Sequence, residues 1–222
     1  MKQNLILVDD HAILRDGIKN WIETHSSFRI KYQAGTYSEC MKIIDALQQE
    51  QNTTTLIAIV DISFKPEAAR NNQAAGFVHE ENSGFEIIKM FSALGVKCIA
   101  FSSHDSGGFV ERAMSPQIGA KGFVSKIADE CILLAALNAV ADGGTYIQAE
   151  LVTGLLEVRD ISQTFTKKEK LVVDSLTLYN TNAQVAQKLG LSEKTVVNYL
   201  TMLYDKAGVT NKLQFLEKMG RI

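Results

Sequence analysis

Four short apolar runs, each closed by a residue with a charged or hydroxylated side chain, constrain this chain more than any other feature. Leu5-Ile6-Leu7-Val8 runs into Asp9-Asp10, and Leu56-Ile57-Ala58-Ile59-Val60 runs into Asp61. Lys97-Cys98-Ile99-Ala100-Phe101 ends in Ser102, and Gly122-Phe123-Val124-Ser125 ends in Lys126. Apolar runs of this length read as strands buried on both faces of a parallel sheet, and open α/β sheets place their sites beyond the carboxyl ends of such strands. Asp9, Asp10 and Asp61 converging there would repel one another unless a hard divalent cation such as Mg²⁺ sat among them. Any one of these acids alone reads equally well as a strand-end turn or a helix cap.

Between the runs the periodicity turns helical. Leu14, Ile18, Trp21 and Ile22 mark a first helix, Phe28 to Ala34 a second strand, and Cys40, Ile43, Ile44 and Leu47 a second helix. Phe85, Ile88 and Leu94 belong to a third helix, Phe109 to Met114 to a fourth and Cys131 to Val140 to a fifth. Strands alternating with helices at this spacing give a flavodoxin-like (βα)5 domain over residues 1–145. Asp142-Gly143-Gly144 stops the fifth helix, Ala149 to Val158 reads as a short linker helix before Arg159 to Gln163, and a second domain covers 165–222.

The two parts carry opposite charge. From Phe165 onward there are nine Lys/Arg and five Asp/Glu, a net of +4, which leaves 23 − 9 = 14 basic and 25 − 5 = 20 acidic residues before it, a net of −6. An acidic body with a basic tail suits a module that binds a polyanion, although +4 on a small helical domain is also compatible with a solvated surface. Cys40, Cys98 and Cys131 lack metal-ligand spacing and fall in apolar patterns, so they read as core thiols of a reducing compartment. No apolar stretch reaches the length of a signal or membrane segment, and the expected location is the cytoplasm, away from any membrane.

An acid pair, a single acid, a hydroxyl and a lysine, in that order and each at a strand end, resemble the receiver domain of two-component response regulators. The resemblance implies that Asp61 is the phosphoacceptor for a histidine kinase or a small phosphodonor. It implies Mg²⁺ held by Asp10, Asp61 and the Ser63 carbonyl, with Asp9 acting through water. Ser102 and Lys126 would then bind the phosphoryl group, and Phe123 would occupy the position of the switch aromatic. Two departures stand out. A polar loop from Lys65 to Ser83 separates Asp61 from Gly84, and the fourth helix is bracketed by Gly107-Gly108 and Pro116, which weaken its start and end it early.

The tail supplies three helix starts of its own. Thr166-Lys167-Lys168-Glu169 and Thr181-Asn182-Ala183-Gln184 fit the capping box, and Ser192 follows the turn at Gly190 as a third cap. Val185, Ala186 and Leu189 share one helix face, and Val196, Leu200 and Leu203 share another, as in a helix-turn-helix. Together with Lys206-Ala207-Gly208-Val209-Thr210-Asn211-Lys212, these segments resemble the NarL/LuxR-type output domain. The resemblance implies an all-α, four-helix domain over 165–222 whose third helix enters the major groove of DNA and whose last helix can pair in a homodimer. Where that family usually has Lys and then His after Thr195-Val196, this chain has Val197 and Tyr199. The candidate DNA contacts are Lys194, Thr195, Asn198, Tyr199, Thr201 and, at the start of the last helix, Lys212.

Two rival classes remain at this level. A dehalogenase-type phosphatase also uses a strand-end Asp, but it requires a second Asp two residues on, where Ser63 stands, and no phosphate-binding glycine loop follows the first strand; an enzyme is disfavoured. A regulator that docks proteins or DNA without phosphorylation, keeping the receiver for dimerisation, is compatible with the long loop and the altered fourth helix.

Overall fold

The computed structural model describes residues 3–49, 53–64 and 83–221. They fall into two compact units, Met1–Asp105 with Ala113–Ala149 and Ser106–Arg112 with Glu150–Ile222. The loop read at Lys65 to Ser83 lies, apart from Ser83, outside the described residues.

In the first unit, β1 (Gln3–Val8), β2 (Phe28–Ala34), β3 (Ile57–Asp61), β4 (Lys97–Ser102), β5 (Gly122–Ser125) and β6 (Tyr146–Ile147) form one sheet in the order β2-β1-β3-β4-β5-β6. Every neighbouring pair is parallel. Such a sheet needs helical crossovers, which in chain order are α1 (Ala12–His25), α2 (Tyr37–Gln48), α3 (Ser83–Ala93), α4 (Gly107–Met114), whose residues up to Arg112 group with the second unit, and α5 (Glu130–Ala141). The two-residue β6 goes beyond the five strands read from sequence and pairs with Gly122 and Phe123.

The apolar spacing predicted the buried faces. Ile22, Cys40, Ile43, Ile44, Leu47, Phe85 and Ile88 are buried, and Leu14, Ile18 and Trp21 pack against the core formed by Leu5, Leu7, Ile57, Ile59, Ile99 and Val124. Cys131 departs from its reading as a core thiol and is exposed. It lies two residues before Leu133, which rotates it about 200° from the stripe of Leu133, Ala136, Leu137 and Val140 that α5 buries. The Lys97 ammonium donates to the carbonyls of Val140 and Ala141, each at 3.1 Å, and so caps the end of α5. Helix α4 stops at Met114, two residues before Pro116, as expected from proline's missing donor.

The second unit contains α6 (Val152–Gln163), α7 (Lys167–Leu178), α8 (Asn182–Leu189), α9 (Glu193–Ala207) and α10 (Lys212–Lys218). Helix α6 extends through Arg159 to Gln163, further than the linker helix read from sequence, and contributes Val158 to the core with Phe165, Val172, Leu176, Val185, Val196, Leu203 and Phe215. Both capping boxes form, and Ser192 accepts from the Thr195 amide. Gly190 adopts φ 65°, the left-handed cap that lets α8 turn into α9.

One buried ion pair ties this unit together. The Lys206 ammonium lies 2.7 and 2.8 Å from the two Glu169 carboxylate oxygens and 3.0 Å from the Thr164 carbonyl, while Glu169 also accepts from the Thr166 amide at 2.6 Å. The hydrogen bond from Lys206, helped by those from Thr166, outweighs burial and holds the Glu169 carboxyl below its ordinary value. A lowered carboxylate contributes stability that is full above the ordinary value of 4.5 and is lost as the pH falls through the folded one. Glu169→Ala should therefore cost roughly 3 kcal/mol, near the low end for a broken buried pair because Lys206 keeps some water contact. Its urea unfolding, followed by circular dichroism, should also lack the acid-side decline that wild type shows below the glutamate range.

Candidate functional site

The carboxyl ends of β1, β3 and β5 bring together Asp9, Asp10, Asp61 and Lys126. Asp9 and Asp61 are each only 1 % exposed. The Lys126 ammonium lies 2.7 Å from Asp9 Oδ2 and 2.8 Å from Asp61 Oδ2. The second Asp61 oxygen accepts from the Ser63 amide at 2.9 Å, and the second Asp9 oxygen from the His11 amide at 2.8 Å. Ser102 is fully buried at the end of β4, where its oxygen accepts from the His104 amide at 2.9 Å; accepting there leaves the hydroxyl proton available for donation. Phe123 is fully buried in β5, paired with Ala100 and Ile147.

Three contributors carry no signal in the apolar runs. The His11 ring approaches Asp10 at 3.0 Å and Asp9 at 3.3 Å but is itself 70 % exposed. Arg15 donates to the Asp9 carbonyl at 2.6 Å, which fixes the backbone at the β1 edge. Gly84 packs against the turn after β3 so closely that a Cβ there would meet the Asp61 carbonyl oxygen at 2.1 Å and the Ile62 Cα at 2.5 Å. Its place at the opening of the third apolar helix was visible in sequence; the backbone contact was not.

Burial is the largest influence on Asp61, and with the neighbouring Asp9 charge it raises the carboxyl above its ordinary value against the pull of Lys126. Burial draws the Lys126 ammonium down, but the two carboxylates together more than reverse this and hold it above the ordinary lysine value. The donor set fits a hard cation. Oxygen atoms of Asp9, Asp10 and Asp61 and a ring nitrogen of His11 all lie within 4.8 Å of one another, and the Lys126 ammonium pairs with Asp9 and Asp61.

In the second unit, α8, the Gly190 turn and α9 make the helix-turn-helix. Lys194, Asn198 and Thr201 are exposed on α9. Thr195 is half-buried, with its hydroxyl 2.7 Å from that of Ser192, and Tyr199 is half-buried against the core. The Lys212 ammonium donates to the Tyr179 carbonyl at 3.2 Å, and burial draws its pKa below the ordinary value, so a phosphate contact would require it to leave that carbonyl.

With this geometry in place, the relatives are informative. Residues 163–219 match the family described as bacterial regulatory proteins, luxR family. The transcriptional regulatory protein UhpA of Salmonella typhimurium is 29 % identical over 186 residues, covering 84 % of this chain and 82 % of the relative. The transcriptional regulatory protein MctR of Rhizobium johnstonii is 22 % identical over 195 residues, 86 % of this chain and 80 % of its own. Among solved structures, a two-component response regulator RcsB–DNA complex covers all of both chains at 20 % identity with a TM-score of 0.66. RcsB of Salmonella enterica serovar Typhimurium on promoter DNA with a phosphomimetic gives 0.65 at 18 % identity, covering 100 % of this chain and 99 % of that one. The last segment therefore resembles the LuxR-type helix-turn-helix, and the chain as a whole shares the fold of the RcsB response regulators.

Two outcomes test the pocket. An ionised Asp61 is disfavoured in the fold, since a raised acid costs stability at every pH above its folded value and nothing below its unfolded one. Asp61→Asn, which keeps the shape of the neutral acid, should raise the thermal midpoint at pH 7 without divalent ions, and the gain should vanish as the pH falls towards the ordinary value of 3.8. Gly84→Ala should lower stability by roughly 1–3 kcal/mol in urea unfolding, because backbone rather than a side-chain tip must give way.

Proposed function

We propose that this protein is a DNA-binding response regulator in which phosphoryl transfer to Asp61 controls transcription through the helix-turn-helix. The observation that carries the reading is Asp61 itself, buried at the end of β3 between Lys126 and Asp9, in a chain whose last segment matches the LuxR regulators. Homologues named as transcriptional regulators and the RcsB–DNA complexes support it.

In this mechanism a carboxylate oxygen of Asp61 attacks the phosphorus of a phosphohistidine on a kinase, or of a small phosphodonor. The new O–P bond forms as the P–N bond of phosphohistidine breaks and the departing imidazole takes up a proton, or as the P–O bond of an acyl phosphate breaks and its carboxylate departs. Asp10, Asp61 and the Ser63 carbonyl would hold Mg²⁺, with Asp9 behind it through water. When bound, the ion neutralises charge on the transferring group. Lys126, already paired with Asp61, is placed to pair with a phosphoryl oxygen instead, and the Ser102 hydroxyl proton is free to be donated to another. A hydroxyl drawn towards the phosphoryl group would open space for Phe123, which carries no polar atom to hold it in place. Two phosphorylated copies would bind DNA as a homodimer in the cytoplasm, with Lys194, Asn198 and Thr201 facing the groove and Thr195, Tyr199 and Lys212 positioned beside it.

Incubation with acetyl phosphate and Mg²⁺ should give an acid-labile label on the wild-type chain and none on Asp61→Asn. Equal labelling of both would end the assignment, whereas unlabelled Asp61→Asn that still binds DNA as tightly as phosphorylated wild type would favour the phosphorylation-independent regulator. Asn198→Ala should relax discrimination at a single base pair by roughly 1–3 kcal/mol if its amide reads adenine through two hydrogen bonds. Comparing Kd for a selected duplex and its single-base variants at fixed salt measures this.

A further inference from the structure

Resting on the DNA-binding reading, we infer that Val197, with Thr201, reads the C5-methyl group of thymine, so that α9 selects A·T pairs by methyl contact as well as by hydrogen bonding. Lys194, Val197, Asn198 and Thr201 lie at the i, i+3, i+4 and i+7 spacing of one helix stripe, and all four are exposed. Val197 is 44 % exposed, whereas Val196, Leu200 and Leu203 on the opposite side are buried in the core. An apolar side chain in the middle of an otherwise polar reading stripe has no phosphate or base hydrogen bond to make.

Thr201 adds to this apolar character. Its hydroxyl donates back to the Val197 carbonyl at 3.2 Å, which leaves its methyl group as the part free for a neighbour. The stripe thus presents one cation, one bidentate amide and two sources of methyl contact. Further along the same face stands the exposed acid Asp205, which phosphates repel, so the first half of α9 is the part suited to the groove. In the major groove thymine alone displays a methyl group, and its partner adenine is the base that an Asn amide reads through two bonds. Asn198 and Val197 are adjacent, and together they match the two halves of an A·T-rich step.

The test uses the full-length chain with acetyl phosphate and Mg²⁺. A pool of random duplexes is put through rounds of selection, and the most enriched duplex is resynthesised with deoxyuridine replacing each thymidine in turn. Affinity is then measured by fluorescence anisotropy at fixed salt. Wild type should lose about four-fold at one or two thymines per half-site, as expected for one unburied methyl. Val197→Ala should bind the thymine duplex correspondingly more weakly and no longer distinguish uracil at one of those positions. Thr201→Ser, which keeps the hydroxyl, should do the same at a neighbouring position. Val197→Lys should bind all duplexes more tightly, with a steeper salt dependence and no thymine preference there. Enrichment of duplexes on which uracil substitution is silent, or thymine sensitivity unchanged in both Val197→Ala and Thr201→Ser, overturns the inference while leaving DNA binding intact. Failure to enrich any duplex overturns the DNA-binding reading and this one with it.

Discussion

The double ion pair of Lys126 with Asp9 and Asp61 is the interaction on which the first unit's chemistry turns. It links the ends of β5, β1 and β3, which come together only because β4 and the parallel crossovers set the strand order. Without the ammonium, two carboxylates each 1 % exposed would face one another in a medium that penalises even a single buried charge. The backbone meets the same demand. The amides of His11 and Ser63 donate to the carboxylate oxygens that Lys126 leaves over, and Gly84 brings α3 close enough to the Asp61 carbonyl that no side chain fits between them.

The second unit solves a similar problem to a different end. Its Glu169 is equally buried, but there the carboxylate serves as a helix cap and a strut, and every oxygen has a firm donor. Lys206 and Thr166 therefore lower Glu169, whereas burial and a second acid raise Asp61 in spite of its lysine. One pair is settled and structural; the other is left under electrostatic load.

Much of this could be read from the chain because it depends on periodicity and position. The strand-end residues Asp9, Asp10, Asp61, Ser102 and Lys126 are fixed by where apolar runs stop, and Thr166, Thr181 and Ser192 by where helices start. What escaped reading depends on tertiary distance. Arg15 on the Asp9 carbonyl and Lys206 beneath Glu169 join residues through the fold, with no spacing to announce them. Cys131 misled because one apolar residue in an apolar helix does not reveal which way the helix faces, and β6 is too short to show a pattern. On α9 polarity alone suggested Thr195 and Tyr199 as contacts, but the cap and the core claim much of their surface, while the exposed Val197 stood out only as a departure from the family.

With Asp61 as the phosphoacceptor proposed above, the charge count gives what a phosphoryl group would change in this pocket. Three carboxylates and one ammonium sum to −2, a divalent cation brings the sum to 0, and a dianionic phosphoryl group in place of the Asp61 charge shifts it to −1. On the proposed reading, the loaded and phosphorylated states would differ by a single charge in a low-dielectric setting, where one charge acts strongly on its neighbours. The groups best placed to respond would be the Lys126 ammonium, which lies between two carboxylates, and the Ser102 proton. A pocket already neutral and fully paired, like that around Glu169, would have to be broken before it could respond. Burial and the neighbouring Asp9 already raise Asp61 above its ordinary value, so on the proposed reading a phosphoryl group would add charge where an anion is already disfavoured.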